Sequence, residues 1–196
     1  MTSTNHPRPN ESFRFLDLPG ELRNLIYRMA LVTDTPTIIT SSGYSRPALI
    51  SVNKEIREET AGIFYFENRY LVDTPRFSVS ILRRFVRILI TFYKQGWKIK
   101  AKVNAFTSDR TPHWSNLMEW MRQIHLKQVP NSIPTPDWLW QHGFGRFGHQ
   151  EVNVLSVMFK TAHDMEGVEW EMVKKVLGNS RMLLGMADAR WMQDGP

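Results

Sequence analysis

FRFLDLPGELRNLIYRMAL, residues 13–31, is the most strongly patterned piece of this chain. An apolar lead-in of Phe13, Phe15 and Leu16 is followed by Leu18-Pro19-Gly20 and then by a periodic run. Leu22, Leu25, Ile26, Met29 and Ala30 fall at i, i+3, i+4, i+7 and i+8, a spacing that predicts one face of a helix. Either Asp17 or Pro19 can begin it, since a carboxylate caps free amides and proline lacks only an N–H that a first turn leaves unused. Glu21 stands early and Arg28 late, each where the helix dipole favours its charge.

Working outward, Val32–Arg46 is rich in Thr, Ser, Pro and Gly, with Thr37–Thr40 suited to a short strand. Pro47 then opens a second predicted helix with Leu49, Val52, Ile56 and Ile63 on its inner side and Lys54, Glu55, Arg57, Glu58 and Glu59 on its outer side. A strand at Asn68–Val72 follows. The spacing next predicts a helix over 75–95 with Leu82, Phe85, Val86, Leu89, Ile90 and Tyr93 inward. Trp97–Ala105 alternates apolar and polar residues, the pattern of a strand with one buried and one wet face. Thr111-Pro112 begins a fourth helix presenting Trp114, Leu117, Met118 and Met121. Residues 128–150 read as a long loop, Val152–Phe159 as a strand covered on both faces, and 167–177 and 180–191 as closing helices. These elements predict an α+β fold, helix-rich, with an N-terminal helical pair continuous with a small helix and strand unit.

The first two helices carry a resemblance. Leu18-Pro19, a spacer, Glu21-Leu22 and an apolar helix resemble the start of an F-box. More specifically, LPGELRNLIYRMAL and PALISVNKEIREETAGIFYFEN are similar to the fungal F-box-related proteins called the two-EXR family. Its Glu-x-Arg motif occurs once in each of two helices, here as Glu21-Leu22-Arg23 and Glu55-Ile56-Arg57. The similarity covers roughly residues 13–72. It implies that Leu18, Pro19, Leu22, Ile26 and Met29 bind a Skp-type adaptor of a cullin-RING ubiquitin ligase through an apolar helix-to-helix contact. Unlike a compact F-box, this chain places Val32–Arg46 between the helices and has no tryptophan near the end of the second. The same apolar residues also suit an ordinary core stripe. Glu21, Arg23, Glu55 and Arg57 are placed to make crossed charge pairs between the helices, each worth only about 0–1 kcal/mol if exposed.

Composition sets the outer bounds. The chain has 196 residues, 42% of them hydrophobic and 12% aromatic, which is the make-up of a globular protein. With no cysteine it has no disulfide, thiol nucleophile or thiolate zinc site. The polar opening MTSTNHPRPNES has no apolar core of a secretory signal, and no run of 18 apolar residues occurs. An intracellular protein, cytoplasmic or nuclear, with no membrane partner is expected. A net charge of +6 permits an acidic partner without specifying one.

Other constellations are weaker. Gly143-Phe144-Gly145-Arg146-Phe147-Gly148 fits G-x-G-x-x-G, but a phosphate site needs a strand before it and a helix after it. A strand-like run follows instead, so a plain loop is expected. Lys98, Lys100 and Lys102, with Arg83, Arg84, Arg87 and Lys94 upstream, could hold single-stranded nucleic acid. Lysines on an exposed edge strand equally guard against sheet-to-sheet aggregation. The six histidines show no paired metal spacing, and neither G-x-S-x-G nor H-E-x-x-H occurs.

The expectation is therefore a non-enzymatic protein-interaction module with no catalytic residue, no metal site and no cofactor. Residues 1–12 form a disordered lead, 13–72 the F-box-like region, and 73–196 an α+β region packed on it. A basic nucleic-acid-binding domain, or a scaffold that binds no adaptor, are the alternatives.

Overall fold

A computed structural model describes residues 14–94, 101–129 and 148–193. The lead at 1–12 lies outside them, as do Phe13, Trp97, Lys98, Lys100 and most of the 128–150 loop. The architecture is α+β: helices dominate and enclose a small parallel sheet.

Helix α1 spans Gly20–Leu31, with Pro19 in the cap position and the Phe15–Asp17 turn before it. Strand β1 is Thr37–Ile39. The second helix does not begin at Pro47. Ala48–Ser51 forms a short 3-10 turn, and Asn53 is extended (φ −154°), its side chain accepting the Ile56 amide at 2.8 Å to start α2, Lys54–Gly62. Asparagine favours such a cap over a helical interior, so the predicted single helix is broken there. Val52, expected inside, is consequently exposed. The chain continues through a π-helical turn, Ile63–Glu67, whose Ile63, Phe64, Tyr65 and Phe66 are all buried.

Strand β2, Arg69–Asp73, lies between β1 and β3, and both pairings are parallel. Parallel neighbours require crossovers. The α2 segment supplies the first and α3, Ser80–Lys94, the second, leading to β3, Lys102–Phe106. On β2, Tyr70 and Val72 point into the core while Arg69 is exposed, and their partners Val103 and Ala105 on β3 are buried with them. Because β3 pairs with β2, residues before and after position 72 share one sheet. Helix α3 starts later than predicted because Arg76 and Phe77 have positive φ, 50° and 62°. Leu82, Phe85, Val86 and Leu89 face the core as expected, but Ile90 is exposed.

The C-terminal layer holds α4 (Trp114–His125), α5 (His149–Asp164), α6 (Trp170–Gly178) and α7 (Ser180–Ala187). Helix α5 corrects the strand expected at Val152–Phe159. Glu151, Val152, Leu155, Met158, Phe159 and Ala162 are its buried residues, a helical spacing hidden within an apolar run. Gly148 therefore does precede a helix. The first turn of that helix, however, already holds an anion: the buried Glu151 carboxylate accepts the Gly148 amide at 3.1 Å and Trp191 Nε1 at 2.8 Å. One hydrophobic cluster runs from Tyr27 to Trp191.

Candidate protein-binding face on the first helix

Helix α1 is held to the body through one row of residues. Tyr27 and Leu31 are buried, and Arg23 stands one turn before Tyr27 on the same side. Arg23 Nε donates to Glu59 Oε2 at 3.1 Å, and its Nη2 reaches Glu59 Oε1. The Tyr27 hydroxyl donates to the same carboxylate at 2.8 Å. Arg23 Nη1 donates to the carbonyls of Leu16 (3.0 Å) and Leu18 (2.8 Å), which folds the Leu18-Pro19 entry back over the helix start. The Phe15 ring, 5.5 Å from that of Tyr27, covers the same side.

The C-terminal end is tied down separately. Buried Asn68 donates from Nδ2 to the Leu31 carbonyl (2.9 Å) and the Phe64 carbonyl (3.1 Å), while its Oδ1 accepts the Thr33 amide (2.8 Å). Arg28 Nε and Nη2 make a forked contact with Glu67.

The charge pairing between the two motif copies differs from expectation. Arg23 pairs with Glu59, one turn beyond Glu55, and Arg57 Nε donates to the Ile50 carbonyl at 3.0 Å. Glu21 and Glu55 are exposed. Helix geometry explains the substitution: Glu55 and Glu59 share a face, and only Glu59 lies level with both Arg23 and Tyr27. The hydrogen bonds from Arg23 pull the Glu59 carboxyl below its usual range; burial opposes them and the Tyr27 hydroxyl adds to them. Burial first, then the bond to Glu59, pushes the Tyr27 hydroxyl up to about 12.

With the anchors on the 23/27/31 row, the apolar stripe faces away from the protein. At 3.6 residues per turn, its centre lies about 150° around the helix from that row. Leu22 is 48% exposed, Leu25 56%, Ile26 42% and Met29 80%. Leu16 and Val32 extend this surface at either end, Pro19 is exposed beside it, and Leu18 is half-buried. The helix therefore presents four large apolar side chains on a single face. Scattered exposed leucines need no explanation, whereas a contiguous exposed row calls for one.

Of the basic residues singled out in the sequence, Lys102 is exposed on β3, an edge strand of the sheet. Arg84 and Arg87 are exposed on α3 and Arg83 is half-buried, while Lys98 and Lys100 lie outside the described residues. His163 and Asp164 close α5. Among the described residues no group of three or more His, Asp or Glu could hold a metal, and no helix is long and apolar enough to cross a membrane.

Two surface features escaped the sequence reading. Met172 and Val176 on α6, with Met182, Leu183 and Met186 on α7, are exposed apolar residues. The other feature is a pair of cavities flanking Arg46, between the 41–46 loop, α2 and α3. The spacing of residues within α6 and α7 does not distinguish the first from an ordinary core stripe, and nothing local in sequence brings the second together. Comparison with protein-family models, with curated proteins and with solved structures finds no match for this chain.

Proposed function

We propose that this chain is a non-enzymatic, intracellular protein-interaction module of the F-box-like, two-EXR kind. In this reading the Leu22, Leu25, Ile26 and Met29 face of α1, with Leu18 and Pro19 at its edge, receives a helix of a Skp-type adaptor of a cullin-RING ubiquitin ligase. The observation that carries the reading is the outward orientation of that stripe on a helix whose opposite side is anchored by Arg23, Tyr27 and Leu31. A core stripe would be covered; this one is open to a partner. The F-box-like motif supplies the kind of partner, and the apolar character of the face suits a helix-in-groove contact.

A purified Skp-type adaptor tests this directly. The wild-type chain should capture it, and Leu25→Asp with Met29→Asp should weaken capture by roughly tenfold or more, as loss of central apolar anchors does. The exposure of both residues means the double variant should still fold, which its thermal unfolding will show. A folded wild-type chain that fails to capture the adaptor would discard the adaptor assignment.

A further inference from the structure

Helix α2 has a second working side. Glu59 faces α1, whereas Arg57 and Ala61 stand about 160° around the helix from it at 3.6 residues per turn. On that far side lie two cavities that share Arg46 and Ile88. One, of about 230 Å³, is also lined by Tyr44, Arg84 and Phe85. The other, of about 360 Å³, is lined by Ile50, Arg57, Ala61, Tyr65 and Phe92 among others. Arg84, Ile88 and Thr91 recur at i, i+4 and i+7 along α3, so the two cavities form one groove running along that helix for about 10 Å.

The loop that forms one wall is held in place. Thr40 and Gly43 exchange backbone hydrogen bonds at 3.0 Å, and Gly43 has φ +107°, a conformation that L side chains rarely adopt. That turn delivers Tyr44 and Arg46. The Arg46 guanidinium sits 5.1 Å from the Tyr44 ring centre, and its Nε donates to the Tyr44 hydroxyl at 3.2 Å. The Tyr44 hydroxyl in turn bonds that of Tyr65 at 3.0 Å. Arg46 is thus set between the two cavities.

Charge and polarity then say what fits. Of the described residues, three arginines line the groove and no carboxylate does. Among the described residues none of Arg46, Arg57 and Arg84 has an acidic partner, unlike Arg23, Arg28 and Arg190, which all do. The lining beside these cations includes an apolar floor of Ile39, Ile50, Ala61, Phe85, Ile88 and Phe92, together with three serines and a threonine. Arginine forks prefer carboxylate oxygens, and the apolar floor suits a side chain next to one. A nucleic-acid base would need an open ring face. Tyr65 and Phe85 are only 4% and 2% exposed, Tyr44 already carries Arg46, and the half-buried Phe92 ring packs against Tyr65 at 4.9 Å.

We infer that this groove binds an extended segment of an acidic protein, one carboxylate between Arg46 and Arg84 and a neighbouring apolar side chain against the half-buried Ile88 and Phe92. The site is separate from the α1 face and stands whether or not α1 takes an adaptor.

Selection of short random peptides on phage against the full chain tests the inference. Enriched peptides should carry Asp or Glu close to a large apolar residue, and their affinity should fall as salt is raised. Measured by fluorescence polarisation, Arg84→Gln and Arg46→Gln should each weaken binding roughly tenfold, as loss of a charge-assisted contact does. Arg87→Gln, which removes the same charge from an exposed α3 position outside the groove, should leave binding unchanged. Arg84 is exposed and has no side-chain bond among the described residues, so its variant keeps the test sound if Arg46→Gln perturbs the loop. The inference is overturned by a selection that yields no binder or only peptides without acidic residues. Binding that is unaffected in folded Arg84→Gln, or a single-stranded oligonucleotide taking the groove in place of peptide, would overturn it equally.

Discussion

Helices α1 and α5 look alike in their apolar spacing and sit in opposite surroundings. In α5 the row Val152, Leu155, Phe159, Ala162 is wholly buried. In α1 the row Leu22, Leu25, Ile26, Met29 is open, and burial falls instead on Tyr27 and Leu31. Periodicity assigns residues to a common face, but what covers that face depends on neighbours. Helix α5 meets α4, α6 and α7, whereas α1 touches α2 and the π turn and is held by polar anchors. An apolar row can be left outside because the arginine, tyrosine and glutamate contacts, with the buried Tyr27 and Leu31, attach the helix without it.

The comparison is broken most easily by truncation in α5. Leu155→Ala should destabilise the protein by about 2–5 kcal/mol, since the lost methyl groups leave a cavity in a closed site. Denaturant unfolding will measure it, and a cost below that of an ordinary surface change would remove the distinction drawn between the helices.

A middle-sized effect should come from the polar anchor of α1. Tyr27→Phe removes the hydroxyl bond to Glu59 and should lower stability by about 1 kcal/mol at neutral pH. The pH dependence follows from the directions of the two shifts. Glu59 has its carboxyl held low in the fold, so its contribution is present above the ordinary carboxylate range of about 4 and is lost as pH falls through the folded value. The Tyr27 hydroxyl is raised, so its contribution is complete below about 10, the unfolded value, and is lost as pH rises beyond it. Thermal unfolding across pH should show the gap between wild type and Glu59→Gln closing in acid. Tyr27→Phe should lose less stability in alkali than the wild type does, the remaining loss coming from Tyr65 and Tyr70, whose buried hydroxyls are also raised. A gap that persists in acid far enough below the ordinary carboxylate range to protonate the folded carboxyl would mean that Glu59 is not the titrating anchor.

The smallest effect sharpens the contrast from the other side. Leu25→Ser and Met29→Ser should each change stability by no more than about 0.5 kcal/mol, as surface substitutions do. A loss comparable to that of Leu155→Ala would show that the α1 stripe is covered within the chain itself and is unavailable to a partner.

Much of the architecture was legible along the chain. The α1 run, the strands near 37–40 and 68–72, α4 and the closing helices all carry local signals, and each forms within a few residues of its predicted place. The misses share a cause. Val152–Phe159 is so nearly continuous in apolar residues that the helical period is obscured, and short apolar runs do not separate helix from strand. Asn53 is a residue type that favours helix caps, but the apolar spacing of Leu49, Val52, Ile56 and Ile63 runs through it and masks the break.

By itself the sequence determined which side chains lie together on each helix, because backbone geometry converts spacing into direction. It also determined that Leu22, Leu25, Ile26 and Met29 form one row. Only the tertiary structure decided that this row looks outward, that Arg23 finds Glu59 and not Glu55, and that Arg46, Arg57 and Arg84 meet across a groove. Those outcomes depend on contacts between residues far apart in the chain. Their distances are set by how the crossovers lay α2 and α3 around the parallel sheet, and no local spacing encodes that arrangement.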